Sequence, residues 1–143
     1  MLKEKPLELW NAFVDIAARE NYADLDGVRR VAHLSFWYEA EVQNGGHLQY
    51  FENRGSALLD ETLAALRALG ANCQRGVLEE AGHVFLAKSR ARIVAAQQYV
   101  VTALTGEFDA LDSAYYACEP SIHWLLERYL KRHREHFIEI ADE

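Results

Sequence analysis

The chain has 143 residues, of which half are apolar and about a quarter are charged; this composition excludes a disordered chain and fits one compact domain. Its 39 Ala and Leu residues far outnumber its 17 Val, Ile and Thr residues, and only 10 residues are Gly or Pro. The net charge of −7 argues against direct nucleic-acid binding, which requires a basic face. We therefore predict an all-α fold of about six or seven helices in a single domain spanning residues 1–143.

Apolar residues at helical spacing predict three helices in the first 53 residues. The first covers residues 6–20 and begins at Pro6, whose missing N–H costs nothing in a first turn. Asp24 or Asp26 can cap the second, which ends near residue 44. The third is a short helix over residues 47–53. Between the second and third, the glycines Gly45 and Gly46 tolerate the backbone conformations that end helices, so we expect one of them to have a positive φ.

A group of polar side chains surrounds this glycine corner. Gln49 and Asn53 are four residues apart, which places both amides on one face of the short helix, while Tyr50 and Phe51 should turn toward the core. The favoured interpretation is structural, with the amides satisfying unpaired backbone groups at the helix ends. The alternative is a pocket that binds a ligand or catalyses a reaction. Its candidate residues are Glu41, Asn44, Gly45, Gly46, Gln49, Tyr50 and Asn53.

The second half of the chain continues the helical pattern. Apolar periodicity predicts helices over residues 59–69, 77–85, 93–104 and 120–137, with a short amphipathic segment over residues 108–115. Gly70 ends the first of these helices, and Pro120 opens the last.

The cysteines and the termini indicate a cytoplasmic protein. Cys73 and Cys118 form no Cys-x-x-Cys spacing, so we expect two reduced thiols and neither a disulfide nor a thiolate metal site. The first residues lack the apolar segment of an export signal. The longest uncharged run, residues 93–106, is too short to span a membrane.

No local signature of catalysis is present. Glu80 and His83 have the Glu-x-x-His spacing of di-iron bundles, but the second such pair that these sites need is missing. The serines lack a nucleophile-elbow context, and the glycines form no phosphate-binding loop. We therefore expect a protein that is not an enzyme and that uses no metal or cofactor.

The acidic residues are unevenly distributed. No Lys or Arg occurs between Arg92 and Arg128, although that interval contains five carboxylates. In the last predicted helix, further carboxylates recur at steps of four or eight residues and so share one face. If these groups form one binding surface for a basic protein, they should be exposed on one side of the molecule; the alternative is an ordinary solvated surface. The candidate partner-binding residues are Glu107, Asp109, Asp112, Glu119, Glu135, Glu139 and Glu143.

The sequence resembles a bacterial family that is mostly catalogued as a domain of unknown function and is named after a DNA-mimic protein. Its hallmark is an acidic-Val-x-Asn-Gly-Gly segment followed by Gln, an aromatic pair and Asn. The matching positions are Glu41, Val42, Asn44, Gly45, Gly46, Gln49, Tyr50, Phe51 and Asn53, and weaker matches include Leu66 to Gly70, Leu111, Asp112, Tyr115, Glu119 and Pro120. The resemblance covers about residues 28–137, and His47 stands where an aromatic residue is usual.

This resemblance implies an all-helical fold and a non-enzymatic role. In the best-known member, carboxylates imitate DNA phosphates and occupy the DNA-binding surface of a transcription factor. By that analogy, the partner here is a protein with a basic surface, without direct contact to nucleic acid or membrane. An immunity or antitoxin-like protein would have the same acidic character, and self-association is left open.

Overall fold

The protein is all-α, as predicted. A computed structural model describes residues 6–19, 22, 25–87, 95–103 and 105–137, and these contain no strand. Within these ranges no helix combines the length and the apolar character that a membrane span requires. The helices whose bounds are defined are α1 (Pro6–Arg19), α2 (Gly27–Arg54), α3 (Leu59–Leu69), α4 (Asn72–Leu86), α5 (Ala96–Ala103), α6 (Asp109–Ala117) and α7 (Ile122–Arg132), and residues 135–137, at the end of the described chain, are also helical.

Helix α2 is the centre of the fold and packs against α3, α4, α6 and α7. Asp26 caps its start, because the carboxylate accepts a hydrogen bond from the backbone N–H of Arg29 at 2.8 Å. Its two arms meet at Gly45 and Gly46, whose backbone angles are not helical. The predicted second and third helices are therefore the two arms of one kinked element.

The helix ends follow local sequence signals. Gly70 ends α3 in the left-handed conformation, with a φ of 91°, and Ser121 caps α7 by accepting from the backbone N–H of Trp124. The last predicted helix, over residues 120–137, is interrupted. Helix α7 ends at Arg132, a turn follows at residues 133 and 134, and the chain is helical again from Glu135 to Phe137.

The core consists of apolar side chains from the helices on both sides of α2. Aromatic contacts link α1 to α2 and to the end of the described chain. The ring of Phe13 in α1 packs edge to face against Phe36 and Phe137, at centroid distances of 5.4 Å and 5.7 Å. Tyr50 and Phe51 are buried, as the helical pattern predicted. This packing fixes the arms of α2, and hence the corner between them.

The expectation of two reduced thiols is wrong. Cys73 and Cys118 form a disulfide that joins the first turn of α4 to the residue after α6. The two residues are 45 positions apart, and their Cα atoms lie 5.7 Å apart because α4 packs against α6. No Cys-x-x-Cys spacing is needed when tertiary packing brings two cysteines into bonding geometry.

Candidate functional site

The corner of α2 depends on two glycines with different backbone conformations. Gly46 has a φ of 73° and a ψ of −173°, a region that is nearly restricted to glycine, whereas Gly45 has a φ of −156° and a ψ of 22°, which is neither helical nor extended. The predicted positive φ is thereby confirmed at Gly46. A Cβ on Gly46 would lie only 2.5 Å from Oδ2 of Asp112. The corner therefore needs glycine both for its conformation and for the close approach of α6.

The carboxylate of Glu41 binds the amides across the corner. Its Oε2 accepts from Gln49 Nε2 at 3.0 Å and from Asn53 Nδ2 at 2.7 Å, and Asn44 Nδ2 donates to Gln49 Oε1 at 3.2 Å. In a straight helix, eight residues would separate Glu41 from Gln49 by about 12 Å. The kink thus allows the first arm to bind the second, and these side chains are engaged within the protein.

Among the described residues, the amides bond Glu41 and one another rather than the loose backbone groups, which differs from the structural interpretation made from the sequence. Two tyrosine hydroxyls bond backbone carbonyls of the corner instead. Tyr99 of α5 donates to the carbonyl of Gly45 at 3.4 Å, and Tyr116 of α6 donates to the carbonyl of Gln43 at 3.5 Å. These hydrogen bonds to the corner therefore help to hold α5 and α6 in place.

His47 is a site residue whose buried, hydrogen-bonded position was not predicted from the sequence. It is fully buried, its Nδ1 lies 2.7 Å from Oδ1 of Asp112, and its backbone N–H donates to the same oxygen at 2.9 Å. On the other side, its Nε2 lies 2.8 Å from the hydroxyl of Tyr38. Because a carboxylate accepts, Nδ1 carries the proton and Nε2 accepts from Tyr38. The result is a hydrogen-bonded series that runs from the buried Tyr38 through His47 to the partly exposed Asp112.

Burial sets the protonation states of Tyr38 and His47. Desolvation lowers the pKa of His47 below its ordinary value of 6.5, although the nearby Asp112 carboxylate acts in the opposite direction. Desolvation also raises the pKa of Tyr38 well above its usual range, so the hydroxyl stays protonated and can donate. Burial therefore favours the neutral form of His47 at pH 7.

This assignment predicts a pH dependence of stability. An unfolded chain binds a proton on His47 at higher pH than the folded chain does, so the free energy of unfolding should decrease as the pH falls below about 6.5. One such group contributes up to about 1.4 kcal/mol per pH unit. H47Q removes this contribution and should show a shallower decrease in urea unfolding between pH 7 and 5. H83Q, which alters an exposed histidine, should keep the wild-type slope. Parallel wild-type and H47Q profiles would contradict the assignment.

A second buried carboxylate, Glu39, serves the fold. Its Oε2 accepts from the backbone N–H of His123 in the first turn of α7 at 3.0 Å and from the hydroxyl of Tyr115 at 3.3 Å. Desolvation raises the pKa of Glu39, against the effect of these hydrogen bonds. Glu39 and Glu41 therefore have separate partners, as their two-residue spacing on a helix requires.

A cavity of about 200 Å³ opens beside the corner. It lies between the corner, α5 and the start of α6, and three of its lining residues are acidic. Its apolar wall includes Leu48, Ala103 and Phe108. The full lining is Gly45, Leu48, Tyr99, Thr102, Ala103, Gly106, Glu107, Phe108, Asp109 and Asp112.

The structure brings three of the seven predicted partner-binding carboxylates together. Glu107, Asp109 and Asp112 line the cavity, where Asp109 is exposed and Asp112 is about 30% exposed. Glu119 and Glu135 are exposed but do not line it. The remaining two, Glu139 and Glu143, lie outside the described residues. Of the predicted corner residues, only Gly45 lines the cavity.

The comparisons with known proteins identify a family. No curated protein and no solved structure matches the chain significantly. One family model, described as DMP19-like protein, matches residues 23–133, which include the corner, the cavity and all of α2 to α7. The chain therefore belongs to the DMP19-like protein family.

Proposed function

We propose that the chain is a non-enzymatic binding protein, whose partner is a protein with a basic surface. The observation that supports this proposal is the clustering of Glu107, Asp109 and Asp112 around one open cavity. Two of the elements that form it, α5 and α6, belong to an interval of the chain without Lys or Arg. Asp112 is about 30% exposed, so its carboxylate still reaches the open side of the cavity.

The shape of the cavity favours a cationic side chain as its occupant. Its volume is below the roughly 300–1,000 Å³ typical of small-molecule pockets. Lys and Arg have an aliphatic stem that packs on apolar surface and a charged head that binds carboxylates. The wall of Leu48, Ala103 and Phe108 suits the stem, and the acidic residues suit the head. In this proposal, one basic residue of the partner anchors the complex.

The more specific form of the proposal is DNA mimicry. The carboxylates would then occupy positions that DNA phosphates take on a DNA-binding protein, and duplex DNA would compete for the same surface. The alternative of a ligand pocket centred on Asn44, Gln49, Tyr50 and Asn53 is less well supported. The three amides bond one another or Glu41, and Tyr50 is buried with its hydroxyl on Thr62, which leaves them little capacity for a ligand.

A charge-reversal pair provides the test. E107K/D109K changes two cavity carboxylates and leaves Asp112 to hold His47. D60K/E80K changes two exposed carboxylates on α3 and α4 and is the matched control. With each form immobilised in a native extract, we expect wild type and D60K/E80K to retain the same basic DNA-binding protein. Retention by E107K/D109K should fall at least tenfold, because buried or clustered charge pairs of this kind contribute several kcal/mol.

Competition then separates mimicry from simple charge attraction. Duplex DNA should displace the wild-type chain from the retained protein if both bind one surface. Equal retention by E107K/D109K and D60K/E80K would contradict the acidic cavity as the binding site. Retention that duplex DNA does not reduce would contradict DNA mimicry and leave the cavity as an ordinary protein-binding site.

A further inference from the structure

Three potential metal ligands meet just after α7. His133, Glu135 and His136 each offer one ligand atom, and these atoms all lie within 4.8 Å of one another. Nε2 of His136 is 3.8 Å from Oε1 of Glu135. The backbone holds this arrangement, since the N–H of His133 donates to the carbonyl of Tyr129 and the N–H of His136 donates to the carbonyl of His133. His133 and His136 are three residues apart in the sequence, but neither belongs to a Glu-x-x-His pattern.

Asp26 orients the second histidine from the other side. Its Oδ2 lies 3.2 Å from Nδ1 of His136, so Nδ1 donates the proton and Nε2 presents its lone pair on the side of Glu135. Asp26 is itself fixed, because it caps α2 and accepts from the backbone N–H and Nε of Arg29. A carboxylate bound to the far nitrogen of a histidine is the usual support of a metal-ligating imidazole.

We propose that His133, Glu135 and His136 bind a divalent transition-metal ion, with Zn²⁺ as the best-matched ion. Two imidazoles and one carboxylate form a ligand set that suits zinc, with a fourth position open to solvent, whereas Ca²⁺ and Mg²⁺ prefer oxygen ligands throughout. Tetrahedral ligation at about 2.0–2.1 Å requires the ligand atoms to approach more closely than 4.8 Å. Glu135 is 60% exposed, so rotation of its side chain can close the site. The ion would join the end of α7 to the cap of α2 through Asp26.

Zinc titration of the untagged full chain, followed by calorimetry, tests the site. We expect one Zn²⁺ per chain and an affinity that falls at least tenfold in H133Q and in H136Q. H83Q, which changes an exposed histidine outside the cluster, should bind as wild type does. Cobalt provides an independent reading, because tetrahedral Co²⁺ should give a visible absorption band in wild type that H136Q lacks.

D26N tests the positioning role of Asp26 separately. Asn caps helices about as well as Asp, so α2 should stay intact, while loss of the carboxylate should weaken zinc binding by about 10–100-fold. Absence of zinc binding by wild type, or equal affinity in wild type and H136Q, would overturn the site. Equal affinity in wild type and D26N would overturn the role of Asp26.

Discussion

Replacing Gly46 by Ala is expected to lower the free energy of unfolding by about 3–5 kcal/mol. Part of this loss is backbone strain of about 1–3 kcal/mol, because the φ of 73° and ψ of −173° suit glycine almost alone. The rest arises at Asp112, since a Cβ on residue 46 would lie 2.5 Å from its carboxylate. Asp112 would have to move away from His47, and a hydrogen bond to a charged group contributes about 1.5–3 kcal/mol. Urea unfolding of G46A and wild type measures the difference.

Gly55 supplies the matched control for this effect. Its φ of 61° and ψ of −156° place it in the same region of backbone space, but a Cβ there would meet nothing within 4 Å. G55A should therefore show the strain alone, about 1–3 kcal/mol. Equal losses in G46A and G55A would contradict the contact with Asp112, and an unaffected G46A would contradict the kinked corner itself.

Loss of the disulfide is the second change with a large expected effect. C73S should lower the free energy of unfolding by about 2–4 kcal/mol, because the unfolded chain is no longer constrained by a loop of 45 residues. Cys73 is exposed whereas Cys118 is buried, so C73S removes the bond with little change to the core. Denaturant unfolding of wild type and C73S, each with and without dithiothreitol, measures the loss.

Treatment with reductant also separates the effect of losing the disulfide from the effect of replacing the Cys73 side chain. Dithiothreitol should destabilise wild type by nearly the same amount and should leave C73S unchanged. Two rapidly reacting thiols in the untreated wild type, or equal stability of wild type and C73S, would contradict a disulfide that supports the fold.

The parts of the fold that depend on neighbours in sequence were predictable. Helical periodicity indicated the described helices, Asp26 was a recognisable cap, and the two glycines marked the corner. These signals act within about one helical turn, so a single sequence contains them in full. The interruption of the last helix at residues 133 and 134 was not predicted, because His133 and Arg134 suit either a helix or a turn.

The parts that depend on distant neighbours were not predictable in the same way. Asp112 and His47 are 65 residues apart, and Glu39 and His123 are 84 apart. No local spacing relates such pairs, and only the packing of α6 and α7 on α2 brings them together. Some signal existed for the first pair, since Asp112 and the corner both belong to the pattern that carries the family resemblance. The disulfide had no such signal.

The most direct test of the proposed function is the ionic-strength dependence of the association rate with the retained basic protein. If carboxylates of the cavity attract it, the association rate of wild type should fall steeply as salt approaches about 0.15 M, where charges are screened beyond about 8 Å. E107K/D109K should associate at least tenfold more slowly at low salt, and D60K/E80K should match wild type in the same measurement. Equal rates for both double variants, or a wild-type rate that salt does not change, would contradict the account.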